Sequence, residues 1–122
     1  MASTTHVRML THSVGDVTYL RFHGTQVVLD EENAQWLRER LSSLVKAGRH
    51  KIILDMDAVH YLTSTGVEVF MAIHRQLRAA GGRLRLQNLT PPVAEIFAIL
   101  KLDEVLDVGR SPDADADSSP WQ

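Results

Sequence analysis

Residues 51–66 read KIILDMDAVHYLTSTG, and this stretch decides the fold. Lys51 to Met56 has a continuous apolar centre, Ile52-Ile53-Leu54. Such a run suits an interior strand covered on both sides better than a half-exposed one. A polar turn and Tyr61-Leu62 follow. Then come three hydroxyls in a row, Thr63, Ser64 and Thr65, and Gly66. A helix is expected to begin near Ser64 or Thr65. Its apolar face repeats at helical spacing through Gly66, Val69, Phe70, Ile73 and Leu77, and Gly81-Gly82 stops it.

Working outward, the same logic gives a strand–helix alternation. Val7 to Ser13 and Val17 to Phe22 flank the turn dipeptide Gly15-Asp16 and read as a hairpin. Leu20 and Phe22 share one face, Tyr19 and Arg21 the other. Val27-Val28-Leu29 is a short strand or a buried loop. Asp30 is expected to cap the first helix, with Glu31 and Glu32 in the first turn where the helix dipole favours acids. Ala34, Leu37, Leu41 and Leu44 or Val45 form its apolar face, and Gly48 ends it. Arg83 to Gln87 is a strand. Thr90-Pro91-Pro92 opens a third helix with Val93, Ile96, Phe97 and Leu100 inward. Leu102 to Val108 closes the domain as a helical turn or an edge strand. The fold class is α/β, a single domain with a mixed β-sheet flanked by α-helices.

The chain has 122 residues, enough for one domain burying about two-thirds of its unfolded surface. Residues 1–108 are expected to form that domain. Residues 109–122, rich in Asp, Ser and Pro, read as an acidic tail, disordered or loosely attached, with Trp121 its one apolar anchor. The net charge is −2. The tail carries that excess, and the body is balanced. Capture of nucleic acid normally needs a basic surplus, so no nucleic-acid partner is expected. There is no cysteine, which excludes disulfides, thiolate nucleophiles and Cys-ligated zinc. Apolar runs such as Val69–Ile73 fall far short of a membrane span of about 18 residues. The first ten residues lack the apolar core of a secretory signal. No membrane insertion and a cytoplasmic location are expected.

Chemistry concentrates at the start of the second helix. Free backbone amides and the helix dipole favour an anion there. A phosphate on a hydroxyl would gain charge-assisted hydrogen bonds. The commoner reading is structural: Thr65-Gly66-Val67-Glu68 matches the capping box, so Thr65 is expected to cap the helix. Ser64 is then left exposed. Asp57, His60 and Ser64 are the residue types of a hydrolytic triad, but the nucleophile-elbow pattern is missing. No enzyme is expected. The six histidines show no metal-ligand spacing, and neither metal nor cofactor is expected. His12 and His23 could meet across the hairpin, and the commoner reading of such residues is a surface or edge pair. Arg75, Arg78, Arg83 and Arg85 read as a solvated face, and Trp36 as half-buried.

In KIILDMDAVHYLTSTG, VEVFMAIHRQLRAAGG, RLRLQNL and PPVAEIFAILKL the chain resembles a STAS domain of the anti-sigma factor antagonist type. The likeness spans nearly the whole domain. It implies a regulatory binding module whose partner is an anti-sigma factor that is also a serine protein kinase. Phosphorylation releases that partner, and a phosphatase resets the switch. The family motif D-S-S/T-G falls on Thr63, Ser64, Thr65 and Gly66, which makes Ser64 the phosphoacceptor. Thr63, Thr65, Gly66, Asp30 and His60 then belong to the surface a partner touches. Three departures stand out. Thr63 replaces the family's acid. The segment from Gly24 to Asp30 is longer than the usual G-x-L-D. Lys101 stands where many members have glycine after the third helix, so that helix is expected to end differently. A STAS subunit of a bacterial lipid-transport ABC complex, without phospho-switching, is the alternative.

Overall fold

The apolar runs pair into two sheets. The computed structural model describes residues 8–24 and 26–109. Strand β1 is Met9–Val14, β2 Val17–Phe22, β3 Val27–Leu29, β4 Lys51–Asp55, β5 Val59–Leu62, β6 Arg83–Gln87 and β7 Asp107–Gly109. Helix α1 is Glu31–Lys46, α2 Ser64–Ala79 and α3 Pro91–Ile99, and a 3-10 turn covers Leu102–Glu104. The main sheet has the order β1-β2-β4-β6-β7. The hairpin β1/β2 is antiparallel and the other pairs are parallel, so the sheet is mixed as expected.

Strand β4 is central, and Ile52, Ile53 and Leu54 are all buried. The register sorts its two faces. Leu20 pairs Leu54 and Leu54 pairs Leu86, and these residues join the main core. That core also takes Leu37 and Leu41 of α1, Phe70, Ile73 and Leu77 of α2, and Val93 and Phe97 of α3. All three helices therefore bury their apolar stripes against one face. Each fully buried Phe or Leu contributes about 1.5–3 kcal/mol. Tyr19, Ile53 and Arg85 lie side by side on the opposite face.

Four local expectations are corrected. The polar turn is confined to Asp57-Ala58, and the strand begins before Tyr61: β5 starts at Val59 and pairs in parallel with β3, with a bulge between Val27 and Val28. His12 faces Tyr19 across the hairpin, whereas His23 donates its backbone N–H to Arg8, one strand length away. Leu100 lies beyond the end of α3 and is 55% exposed, so it is not on the helix's inward face. Lys101 does adopt the left-handed conformation of a glycine, with φ 58° and ψ 32°, and the chain turns there into the 3-10 segment. The Leu102–Val108 stretch contains both features foreseen as alternatives, a 3-10 turn and then β7. The acidic tail lies, from residue 110 on, outside the described residues.

Candidate functional site

The short β3/β5 sheet sets the site. Because β3 and β5 run parallel, the helices that follow them start at the same end. Leu29 pairs Leu62, and the Thr63 N–H donates to the Leu29 carbonyl at 2.9 Å. Asp30 and Thr63 therefore stand together as the two N-caps, and α1 and α2 begin side by side.

The two starts are chemically unlike. At α1 the Asp30 carboxylate accepts from the Glu32 and Asn33 amides, both at 3.1 Å. The Asn33 side chain accepts in return from the Asp30 N–H at 2.9 Å. This is a complete capping box, written Asp-x-x-Asn. Glu31 and Glu32 add negative charge in the same turn. At α2 no side chain caps the helix, and its first turn holds no acid. The expected box at Thr65 does not form. Pairing of β5 with β3 holds the chain extended through Thr63, so α2 starts at Ser64 and Thr65 falls inside the first turn. Its hydroxyl donates sideways to Glu31 at 3.3 Å. The Thr63 hydroxyl donates to the Leu29 carbonyl at 3.4 Å.

Ser64 is exposed at the first position of α2. Its side chain makes no hydrogen bond among the described residues. Amides at the start of α2 are left without a capping side chain. Gly66 is buried under this turn. A β-carbon there would lie 3.0 Å from the Leu29 carbonyl oxygen and 3.2 Å from each of the Leu29 and Leu62 β-carbons. The glycine is thus a packing requirement where the helix crosses the small sheet.

His60 is exposed on β5 and lines a pocket of 530 Å³ with Arg21, His23, Asp57 and Thr90. Asp57 sits 3.8 Å from Arg21. Burial, and then the neighbouring Asp55 carboxylate, raise the Asp57 carboxyl above its usual value. Ser64 does not line this pocket, and no hydrogen bond links Asp57, His60 and Ser64 among the described residues. The structure does not bring these three together as a triad. No group of three His, Asp or Glu could hold a metal ion among the described residues. No helix there is long and apolar enough to cross a membrane. Of the arginine cluster, Arg85 is half-buried and paired with Asp107 at 3.0 Å, while Arg75, Arg78 and Arg83 are exposed.

Two residues of this surface escape sequence reading. Val28 and Tyr61 are register partners on the small sheet, 40% and 50% exposed. They form an apolar pair near Ser64. Strict alternation along β5 would bury one of His60 and Tyr61, but the strand runs buried, exposed, exposed, buried.

The STAS domain model matches residues 8–114. The chain belongs to the STAS domain family. It is 33% identical over 91 residues to BtrV of Bordetella bronchiseptica, described as a candidate anti-sigma factor antagonist, covering 75% of this chain and 78% of that one. It is 34% identical over 80 residues to the anti-sigma-B factor antagonist of Bacillus subtilis, covering 66% and 72%. A crystal structure of a candidate anti-sigma factor antagonist from Thermotoga maritima superposes with TM-score 0.78 at 20% identity, over 88% of this chain and 91% of the other. SpoIIAA of Bacillus in its phosphorylated form superposes with TM-score 0.67 at 21% identity, over 89% and 96%. The structural likenesses speak for the fold.

Proposed function

We propose that this chain is an anti-sigma factor antagonist: a non-enzymatic binding module that sequesters an anti-sigma factor serine kinase and releases it when Ser64 is phosphorylated. A phosphatase would restore the binding form. The observation that carries the reading is the exposed Ser64 hydroxyl at an uncapped helix start beside two acids. The names of the relatives, anti-sigma factor antagonists, support an anti-sigma factor as the partner.

The switch follows from charge. A phosphoserine brings about −1.5 to −2 charges at neutral pH. The amides at the start of α2 would hold it locally, so the fold tolerates it. Glu31 and Glu32 of α1 already make this corner negative, and added charge would press against any acidic or apolar partner surface. Each 1.4 kcal/mol is a tenfold loss of affinity, so about 3 kcal/mol releases a micromolar partner. Thr63 lacks the charge of the acid it replaces, so the kinase would recognise this corner through other groups, with Asp30, His60, Thr65, Val28 and Tyr61 in the contact surface.

Capture with the wild-type chain, Ser64→Ala and Ser64→Asp, read by mass spectrometry, tests this. An anti-sigma factor kinase retained by wild type and Ser64→Ala and lost by Ser64→Asp is the expected result. Equal retention of that kinase by all three refutes the switch. A transport ATPase retained by all three would instead mark a constitutive subunit of a lipid-transport complex.

A further inference from the structure

Strand β1 is an outer edge of the main sheet and, among the described residues, pairs with β2 alone. The His23 N–H donates to the Arg8 carbonyl at 2.9 Å, which extends the hairpin register by one pair. Hydrogen-bonded pairs alternate along an antiparallel ladder, so Leu10, His12 and Val14 turn their backbone groups to β2. Met9, Thr11 and Ser13 turn theirs outward, with no backbone partner among the described residues. Such edges are ordinarily blunted by charged side chains, proline, a bulge or shortness. Strand β7, at the other edge, has three residues. Strand β1 reads MLTHSV, with no Asp, Glu, Lys, Arg or Pro, and its register is unbroken. Leu10 and Val14 are each 57% exposed. They lie with Tyr19 and Arg21 on the sheet face away from the helices.

The pattern along this edge complements itself. A second copy meeting it antiparallel about a two-fold axis must set outward-facing backbone groups opposite each other. Centred on His12, the pairing puts Leu10 opposite Val14 and Thr11 opposite Ser13, and it brings Arg8 alongside Asp16. A slip in one direction sets Leu10 against His12 and Arg8 against Val14. A slip in the other sets His12 against Val14 and Leu10 against Asp16. The register centred on His12 alone matches apolar with apolar and plus with minus. Arg8 is exposed, and Asp16 holds Lys51 at 3.0 Å with its side chain still 75% exposed. Leu10 and Val14 fall at non-hydrogen-bonded positions, where side chains approach closest. Thr11 and Ser13 present hydroxyls to each other on the other face, a favourable cross-strand pair.

We infer that β1 is a docking edge for a second copy of this chain, paired antiparallel with His12 on the two-fold axis, so that two main sheets join into one. Leu10 packs on the second copy's Val14, and Val14 on its Leu10. A strand of six residues buries little area, so the dimer is weak and reversible. Neither Ser64 nor the two helix starts contribute to this edge, and the inference is independent of the phospho-switch.

Sedimentation equilibrium from micromolar to millimolar concentration tests it on the unmutated chain, Ser13→Pro and His12→Lys. Proline at 13 removes an outward donor and no hydrogen bond to β2. Lysine at 12 sets like charges opposite each other at the axis. Expected is a concentration-dependent dimer of the unmutated chain, weakened about tenfold or more by Ser13→Pro and weakened also by His12→Lys. NMR on mixed, differently labelled copies should show cross-relaxation between the Leu10 methyls of one copy and the Val14 methyls of the other. A chain that stays monomeric at millimolar concentration overturns the inference. So does a dimer that His12→Lys leaves unchanged, or one whose contacts between copies omit the Leu10–Val14 pair, whether or not Ser13→Pro folds.

Discussion

Adding one methyl group at Gly66 tests how tightly α2 is seated on the β3/β5 sheet. In an ordinary helix, Gly→Ala gains about 1 kcal/mol from backbone entropy. Here the new β-carbon would meet the Leu29 carbonyl at 3.0 Å and the Leu29 and Leu62 β-carbons at 3.2 Å. Those neighbours must give by a few tenths of an ångström. They are poorly placed to do so. Leu29 is fully buried, and its carbonyl holds both the N–H and the hydroxyl of Thr63. Retreat of Leu29 would loosen the joint that starts α2. Overpacking of this kind costs about 1–3 kcal/mol. The overpacking cost exceeds the propensity gain, and Gly66→Ala is expected to destabilise by about 1 kcal/mol net. Urea unfolding should show a midpoint lower by roughly half a molar with an unchanged slope. A midpoint equal to or above wild type would refute the reasoning. It would mean the small sheet yields and that Gly66 is not required by packing.

Asp30→Ala removes the cap of α1 and leaves two amides unsatisfied, a loss of about 1 kcal/mol by chemical denaturation. Lys101→Gly relieves a left-handed lysine and is expected to stabilise by up to about 1 kcal/mol, after the entropy glycine adds to the unfolded chain. His74 is held below its ordinary value near 6.5, first by burial and then by Arg78 and Arg75. Its contribution is present above that value and is lost as pH falls through the depressed folded value, because the unfolded chain takes the proton first. The free energy of unfolding, followed against pH, should fall less steeply below 6.5 in His74→Gln than in wild type.

Much of the architecture is legible because periodicity and punctuation agree. Leu20 and Phe22 alternate inward as their strand pattern requires, and Val69, Phe70, Ile73 and Leu77 line one helix face. Gly48 and Gly81 stop helices with positive φ. What is not legible depends on partners distant in sequence. The capping box at Thr65 is a valid local pattern, but β5 pairs with β3 and moves the helix start to Ser64. Asp30 reads as a cap from its own neighbours and is one, because nothing remote competes. The exposed Val28/Tyr61 pair arises from a bulge in a parallel ladder, which no local pattern marks. Lys101 keeps a left-handed turn despite its side chain, since the turn into Leu102, which joins the core, outweighs a strain of about 1–2 kcal/mol.

Whether Ser64 is the switch is decided by phosphate mapping on the purified pair. The chain is mixed with the captured anti-sigma factor kinase and ATP, and the complex and the modified peptide are followed together. A single phosphate on Ser64 is expected, appearing at the rate at which the complex dissociates, with neither event in Ser64→Ala. A phosphate on Thr63 or Thr65, or a complex that persists once Ser64 is modified, would contradict it.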